Sequence, residues 1–359
     1  MKRWCSLFWG LCMLALTTGC ASLISREYTT VTPYVEQHTV EENEEALVAE
    51  NYLSLKNAIL SFVEDGMEHG VIRVYDYDGD VEADLAAATY EVSRADPLGA
   101  YAVDYMTHDC ALIVSYYEIQ FDITFRRSGE QIADIQRTAS SISLMDLLKN
   151  ALSSYEPELT VRMSYYNNPD ILSMVEQYYE ENPATAMEKP DVTVNVYPDS
   201  GYVRIVEILL QYEESAQDLE EMQDAVATSV RAAKEYVRYR DTETGKLQLL
   251  YTYLQERFSY EEGEPPTPVY SFLCEGVTSS EGCAKSLQII CDQIGMECYT
   301  VNGNKSGEPY YWNIVCVDGA YCHADLFRSV TNNSDFLTLY TDEAMAEYYW
   351  DLERYPACP

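Results

Sequence analysis

Positive charge is scarce in this chain of 359 residues: Lys and Arg number 23 against 60 Asp and Glu, a net charge of −37. So acidic a surface repels nucleic acid, anionic headgroups and anionic wall polymers, and no nucleic-acid partner is expected. No two cysteines stand in the C-x-x-C spacing of a zinc site, so neither a metal nor a cofactor is expected. Near the N-terminus the apolar stretch runs only from about Leu7 to Leu16, too short for a stop-transfer helix.

That stretch reads instead as an export signal over residues 1–19: Lys2-Arg3, the apolar core, then Leu16-Thr-Thr-Gly19 ahead of Cys20. Small residues before a cysteine here resemble a bacterial lipobox, which implies diacylation of Cys20 and an extracytoplasmic chain anchored to the membrane through its lipid. Residues 20–50, polar and rich in glutamate, read as an acidic tether. Of the eleven cysteines, seven crowd into Cys274–Cys358 with Cys110 alone upstream of them, and an exported chain could oxidise some. Most of the 32 tyrosines fall at strand spacing, as half-buried sheet aromatics do; an aromatic platform for sugars is the other use.

The length suits two or three domains, and the element pattern predicts an α+β protein. Residues 51–202 read as a duplicated α-β-α-β-β region, because Leu55-Lys-Asn-Ala-Ile59 recurs as Leu148-Lys-Asn-Ala-Leu152. A strand follows each (Val71–Tyr77; Leu159–Tyr166), then a second helix (Asp84–Val92; Asp170–Tyr179), then closing strands (Leu112–Phe125; Val192–Tyr197 with Tyr202–Tyr212). Asp76, Asp78 and Asp80 imitate the start of a calcium loop. Val81 and Ala87 occupy the positions that need Gly and a bidentate Glu, so a turn feeding a helix is the better reading.

Two amphipathic helices are predicted next, Glu214–Val237 capped by Ser215 and Leu247–Phe258. Thr278 and Glu281 form a capping-box pattern that starts a further helix near Ser279 and Ser280, and Gly295 stops it. Asp318-Gly319 is a two-residue hairpin signal, which pairs Val317 with Ala320 and Ile314 with His323. The same register puts Tyr310, Trp312, His323 and Asp325 on one sheet face, and Cys316 and Cys322 on opposite faces.

Ser280-Glu-Gly-Cys283-Ala at the helix start, Tyr310-Tyr-Trp-Asn313 on the strand and Asp325 after the hairpin resemble the transglutaminase-like (papain-like) superfamily, over residues 203–359. There C-x-G-[Y/F]-A opens the helix, H-[A/S]-W-N lies on the strand and an aspartate closes the set. The resemblance implies a transglutaminase-like domain whose nucleophile position holds Ser280, whose base position holds Tyr310 and whose orienting position holds Asp325. Cys283 falls on the aromatic position. A serine hydroxyl is not ionised by a helix dipole as a thiol is, and a phenol titrating near pH ~10 is a poor base. The expected function is therefore a pseudoenzyme: a binding or scaffold module for a peptide or cell-envelope protein, with Tyr311 and Trp312 in its ligand cleft. The alternative is an active cysteine peptidase or transglutaminase on envelope peptides using Cys283 and His323, although three residues along a helix displace the sulfur by roughly 5 Å. A third reading makes the domain a structural spacer.

Overall fold

A computed structural model describes residues 46–240, 242–257 and 261–359. The export signal, Cys20 and most of the tether lie outside the described residues. Within them, no helix is long and apolar enough to cross a membrane.

Two four-stranded sheets come first and share one pattern. In the first, β1 (Leu47–Ala49), α1 (Tyr52–Glu64), β2 (His69–Tyr75), α2 (Val81–Tyr90), α3 (Pro97–Ala102), β3 (Val103–Ile113) and β4 (Tyr116–Phe125) give the strand order β1-β2-β4-β3. In the second, α4 (Gly129–Ala133), β5 (Gln136–Thr138), α5 (Ser141–Ser153), β6 (Glu158–Met163), α6 (Ile171–Glu181), β7 (Asp191–Tyr197) and β8 (Arg204–Gln211) give β5-β6-β8-β7. Each sheet has one parallel pair, β1 with β2 and β5 with β6, and is otherwise antiparallel. The two matched pentapeptides do the same job. Leu55, Ala58 and Ile59 on α1, and Leu148, Ala151 and Leu152 on α5, recur at helical spacing and bury against their own sheets. Arg127 reaches from the first unit to Glu207 of the second at 2.6 Å, with Glu207 buried.

Three boundaries differ from the sequence reading. Leu47–Ala49, expected in the tether, is a strand paired to β2. The first unit's closing strand is a long hairpin that begins at Val103 and turns at Val114-Ser115. Arg204–Gln211 pairs with both β6 and β7, so it closes the second sheet, as the strand pattern over Tyr202–Tyr212 predicts, and the C-terminal region begins after it and not at 203. Asp80 caps α2, its carboxylate accepting from the Ala83 N–H at 3.1 Å, which is the turn-and-helix role and not a calcium loop.

The C-terminal region holds α7 (Ala216–Val237), α8 (Glu243–Arg257), β9 (Glu261–Glu262), α9 (Pro268–Tyr270), β10 (Val277–Thr278), α10 (Ser280–Ile294), β11 (Cys298–Lys305), β12 (Glu308–Val317), β13 (Ala320–Ala324), α11 (Leu326–Thr331), β14 (Leu339–Tyr340) and β15 (Tyr348–Tyr349). Its five-stranded antiparallel sheet runs β14-β13-β12-β11-β15. Against one face lies a helical core in which Leu219, Val226, Leu250, Leu254, Leu287 and Ile290 meet Val315 and Ala324. Each large apolar side chain buried there contributes roughly 1.5–3 kcal/mol. The other face carries a smaller core of Val301, Trp312, Ile314, Met345, Tyr348 and Cys358, roofed by the C-terminal residues.

Candidate functional site

The helix and the hairpin set the site. Ser279 caps α10, its hydroxyl accepting from the Gly282 N–H at 2.9 Å; Thr278, expected in that role, is the last residue of β10. Gly282 is required by close approach, since a Cβ there would stand 2.4 Å from the Pro268 carbonyl oxygen. Asp318 and Gly319 have φ of 51° and 86°, both positive as a two-residue I′ hairpin demands, and Val317 pairs with Ala320 and Ile314 with His323. Buried Asn313 donates from Nδ2 to the Ala284 carbonyl at 2.8 Å and ties β12 to α10.

On the opposite face the expected residues meet in two separate clusters. Asp325, 1% exposed, accepts from the Tyr310 hydroxyl at 3.0 and 3.1 Å, from the Tyr348 hydroxyl at 2.6 Å and from the Arg328 N–H at 2.9 Å. Lys305 Nζ lies 3.7 Å from the same carboxylate and over the rings of Tyr310 and Tyr348 at 4.4 and 4.8 Å. Asp325 also caps α11. Burial, the Asp325 charge and the neighbouring phenol Tyr348 all raise the Tyr310 phenol well above its ordinary range, so it stays protonated and donates.

The Ser280 hydroxyl is bonded to backbone: its Oγ accepts from the Tyr311 N–H at 3.3 Å. Lys285, five residues on, projects about 140° round the helix from Ser280 and pairs with Glu281.

The second cluster accounts for His323. An indole N–H only donates, so Trp312 Nε1, at 2.9 Å, makes His323 Nδ1 an acceptor. Nε2 must then carry the proton and donate to Asp342 Oδ1 at 2.8 Å. Burial pulls the imidazole pKa down, against the pull of Asp342, and a second proton on Nδ1 would face the indole N–H. Both ring nitrogens are thereby committed. Cys283 is fully buried in the helical core, where burial and then the Asp325 charge push its thiol up, the opposite of an activated nucleophile. The proposed Cys283–His323 dyad therefore has neither a free base nor an activated sulfur.

One more sulfur lies near this imidazole. His323, Asp342 and Cys358 bring ligand-type atoms within 4.8 Å of one another. Cys358 is buried and its thiol is pushed up to about 12 by burial and then by Asp342. A metal on Nε2 would require the proton on Nδ1, where Trp312 already donates, so the hydrogen bonding opposes metal ligation as it opposes base catalysis.

Of the two residues expected on a ligand cleft, Tyr311 lines a cavity of about 280 Å³ together with Lys285 and Arg354. Trp312 is 1% exposed and cannot line it, because the C-terminal roof covers its face. Cys316 and Cys322 fall on opposite faces of the hairpin, paired with Tyr321 and Val315. All cysteines among the described residues are free thiols. Tyr348, Lys305 and Asp342 were not foreseen: their role depends on how strands and tail meet in space, and no local motif marks it.

No family model matches the chain, and no curated protein matches it. Solved structures give distant likenesses. A protein described as a TGase is 8% identical, with a TM-score of 0.26 over 59% of this chain and 65% of that one. A candidate protease from Parabacteroides distasonis is 8% identical, with a TM-score of 0.23 over 70% of this chain and 39% of that one. In both cases the chain spans less than two thirds of the solved protein. The chain is thus a mixed α+β protein with a distant structural similarity to a transglutaminase and to a protease-type fold.

Proposed function

We propose that the chain is an extracytoplasmic, lipid-anchored protein whose C-terminal transglutaminase-like domain has lost its chemistry and serves as a binding or scaffold module for a peptide or protein of the cell envelope. The observation that carries this reading is the use of the would-be catalytic groups as structure. Asp325 is saturated by Tyr310, Tyr348 and the Arg328 N–H, and His323 is held between Trp312 and Asp342. Acyl transfer needs a nucleophile within hydrogen-bond reach of a base, and among the described residues the Ser280 hydroxyl has one hydrogen-bond partner, the Tyr311 backbone N–H. The exported location is inferred from the leader sequence.

Alkylation of the folded chain at neutral pH with a thiol reagent, mapped by peptide mass spectrometry, tests this. Exposed Cys274 should label while Cys283 and Cys358 stay unmodified. Fast labelling of Cys283 that disappears in His323→Ala would restore the active-enzyme reading.

A further inference from the structure

Where α6 meets α10, β11, β12 and the segment after β15, five parts of the chain line the cavity of about 280 Å³, with Lys285, Gln288, Asn302, Tyr311, Arg354 and Tyr355 among its lining. Glu180 at the end of α6 joins the parts: it accepts from Asn302 Nδ2 at 2.6 Å and from Arg354 Nη2 at 3.0 Å. The second α/β unit therefore completes a pocket that the C-terminal domain would leave open.

An inventory of donors and acceptors indicates what fits. Lys285 is 2% exposed, and its Nζ lies 2.8 Å from Glu281 and 3.3 Å from the centre of the Tyr179 ring. Glu281 occupies one of the three N–H donors of Nζ, and the buried ammonium keeps donors to spare. Arg354 gives Nη2 to Glu180 and retains the rest of its five-donor fork. Gln288 uses its carbonyl oxygen on the Thr300 N–H at 3.0 Å, which leaves the amide NH₂ as a donor. Glu180, by contrast, has both oxygens engaged. The cavity thus presents two cationic donors, each held by a glutamate, and the Gln288 amide, beside two tyrosine rings and the Glu181 carboxylate, whose Oε1 accepts from Gln177.

We infer that this pocket binds the free α-carboxylate end of a peptide, the carboxylate lying between Lys285 and Arg354 and the adjoining residues against Tyr311 and Tyr355. A single carboxylate accepts what the pocket donates. A dianion such as phosphate is disfavoured, because Glu281, Glu180 and Glu176 already act on Lys285 and Glu180 on Arg354. Burial pulls the Lys285 ammonium down against the pull of Glu281, and a bound carboxylate offsets that cost. The inference rests on the non-catalytic reading and names the class of ligand for it.

The test is calorimetric or NMR titration of the full chain with N-acetyl-alanyl-alanine, its C-terminal amide and inorganic phosphate. The acid should bind at least about tenfold more tightly than the amide or phosphate, and Arg354→Gln should weaken it by about tenfold. Lys285→Met combined with Glu281→Gln should abolish binding, with a thermal melt confirming that the neutralised pair still folds. Equal binding of acid and amide, phosphate binding as tightly as the acid, no binding of the acid, or an unaffected Arg354→Gln each overturns the pocket assignment. Failure to bind would leave the non-catalytic reading standing. Cleavage or transfer of the peptide would sink that reading and leave the pocket.

Discussion

Asp325→Asn separates an orienting group of catalysis from a structural keystone. A residue that merely orients a base can be neutralised at little cost to folding. Here the carboxylate gathers two phenols, a backbone N–H and an ammonium at 1% exposure. An amide keeps the shape and one acceptor. If its oxygen stays on the Arg328 N–H to preserve the α11 cap, its NH₂ faces the Tyr348 hydroxyl and Lys305, which are both donors. A hydrogen bond to a charged group contributes about 1.5–3 kcal/mol, and breaking a buried charged set costs about 3–5 kcal/mol. Partial rotation of the Tyr348 hydroxyl recovers some of this, so about 3 kcal/mol is the expected loss. Tyr310→Phe removes one donor and leaves the others, and about 1 kcal/mol should be lost.

Urea unfolding followed by tryptophan fluorescence is suited to this, since Trp312 packs edge-on to Tyr348 with ring centroids 5.1 Å apart. The Asp325→Asn midpoint should fall by roughly 1 M, and Tyr310→Phe by less. An Asp325→Asn variant within about 0.5 kcal/mol of the parent would refute the keystone argument, because that is the range of an uncoupled surface substitution. So would a Tyr310→Phe loss exceeding that of Asp325→Asn.

Two further outcomes follow from the geometry. His323 should show the Nε2–H tautomer in ¹⁵N NMR; a proton on Nδ1 would contradict the role given to Trp312. Its folded pKa lies below the ordinary value of about 6.5, so the folded state binds fewer protons than the unfolded chain. Its contribution is therefore complete above that pH and lost as the pH falls below it, by at most about 1.4 kcal/mol per pH unit until the folded pKa is passed. At the β3–β4 turn, Val114 is 99% exposed with φ of 55°, a left-handed conformation that a β-branched residue adopts at a cost of about 1–2 kcal/mol. Val114→Asn should raise the melting temperature, and a fall would mean that the valine makes a stabilising contact.

Features with local causes were legible in the sequence. The β12–β13 register follows from one Asp-Gly pair and a side-chain period of two, and the buried stripe of α7 from its 3.6-residue spacing. The β3–β4 hairpin was missed because its turn is Val114-Ser115, without Gly or Asn to mark it. The three-residue strands β1 and β5 exist only through their pairing with β2 and β6, so their own residues carry little signal.

The candidate site shows the same division. Alternation placed Trp312 beside Tyr310 on the correct face, but exposure depends on what covers that face. The cover is supplied by Asp342, Met345, Tyr348 and Cys358, whose sequence gives no hint of their destination. Those residues also decide the chemistry. Tyr348 donates to an oxygen of Asp325, and Asp342 accepts from the His323 Nε2–H, so the tail that hides the indole also saturates the carboxylate and fixes the imidazole. With the tail in place, Ser280→Cys combined with Tyr310→His would still leave Asp325 engaged by Tyr348 and the Arg328 N–H, so these two changes are insufficient to create a working triad.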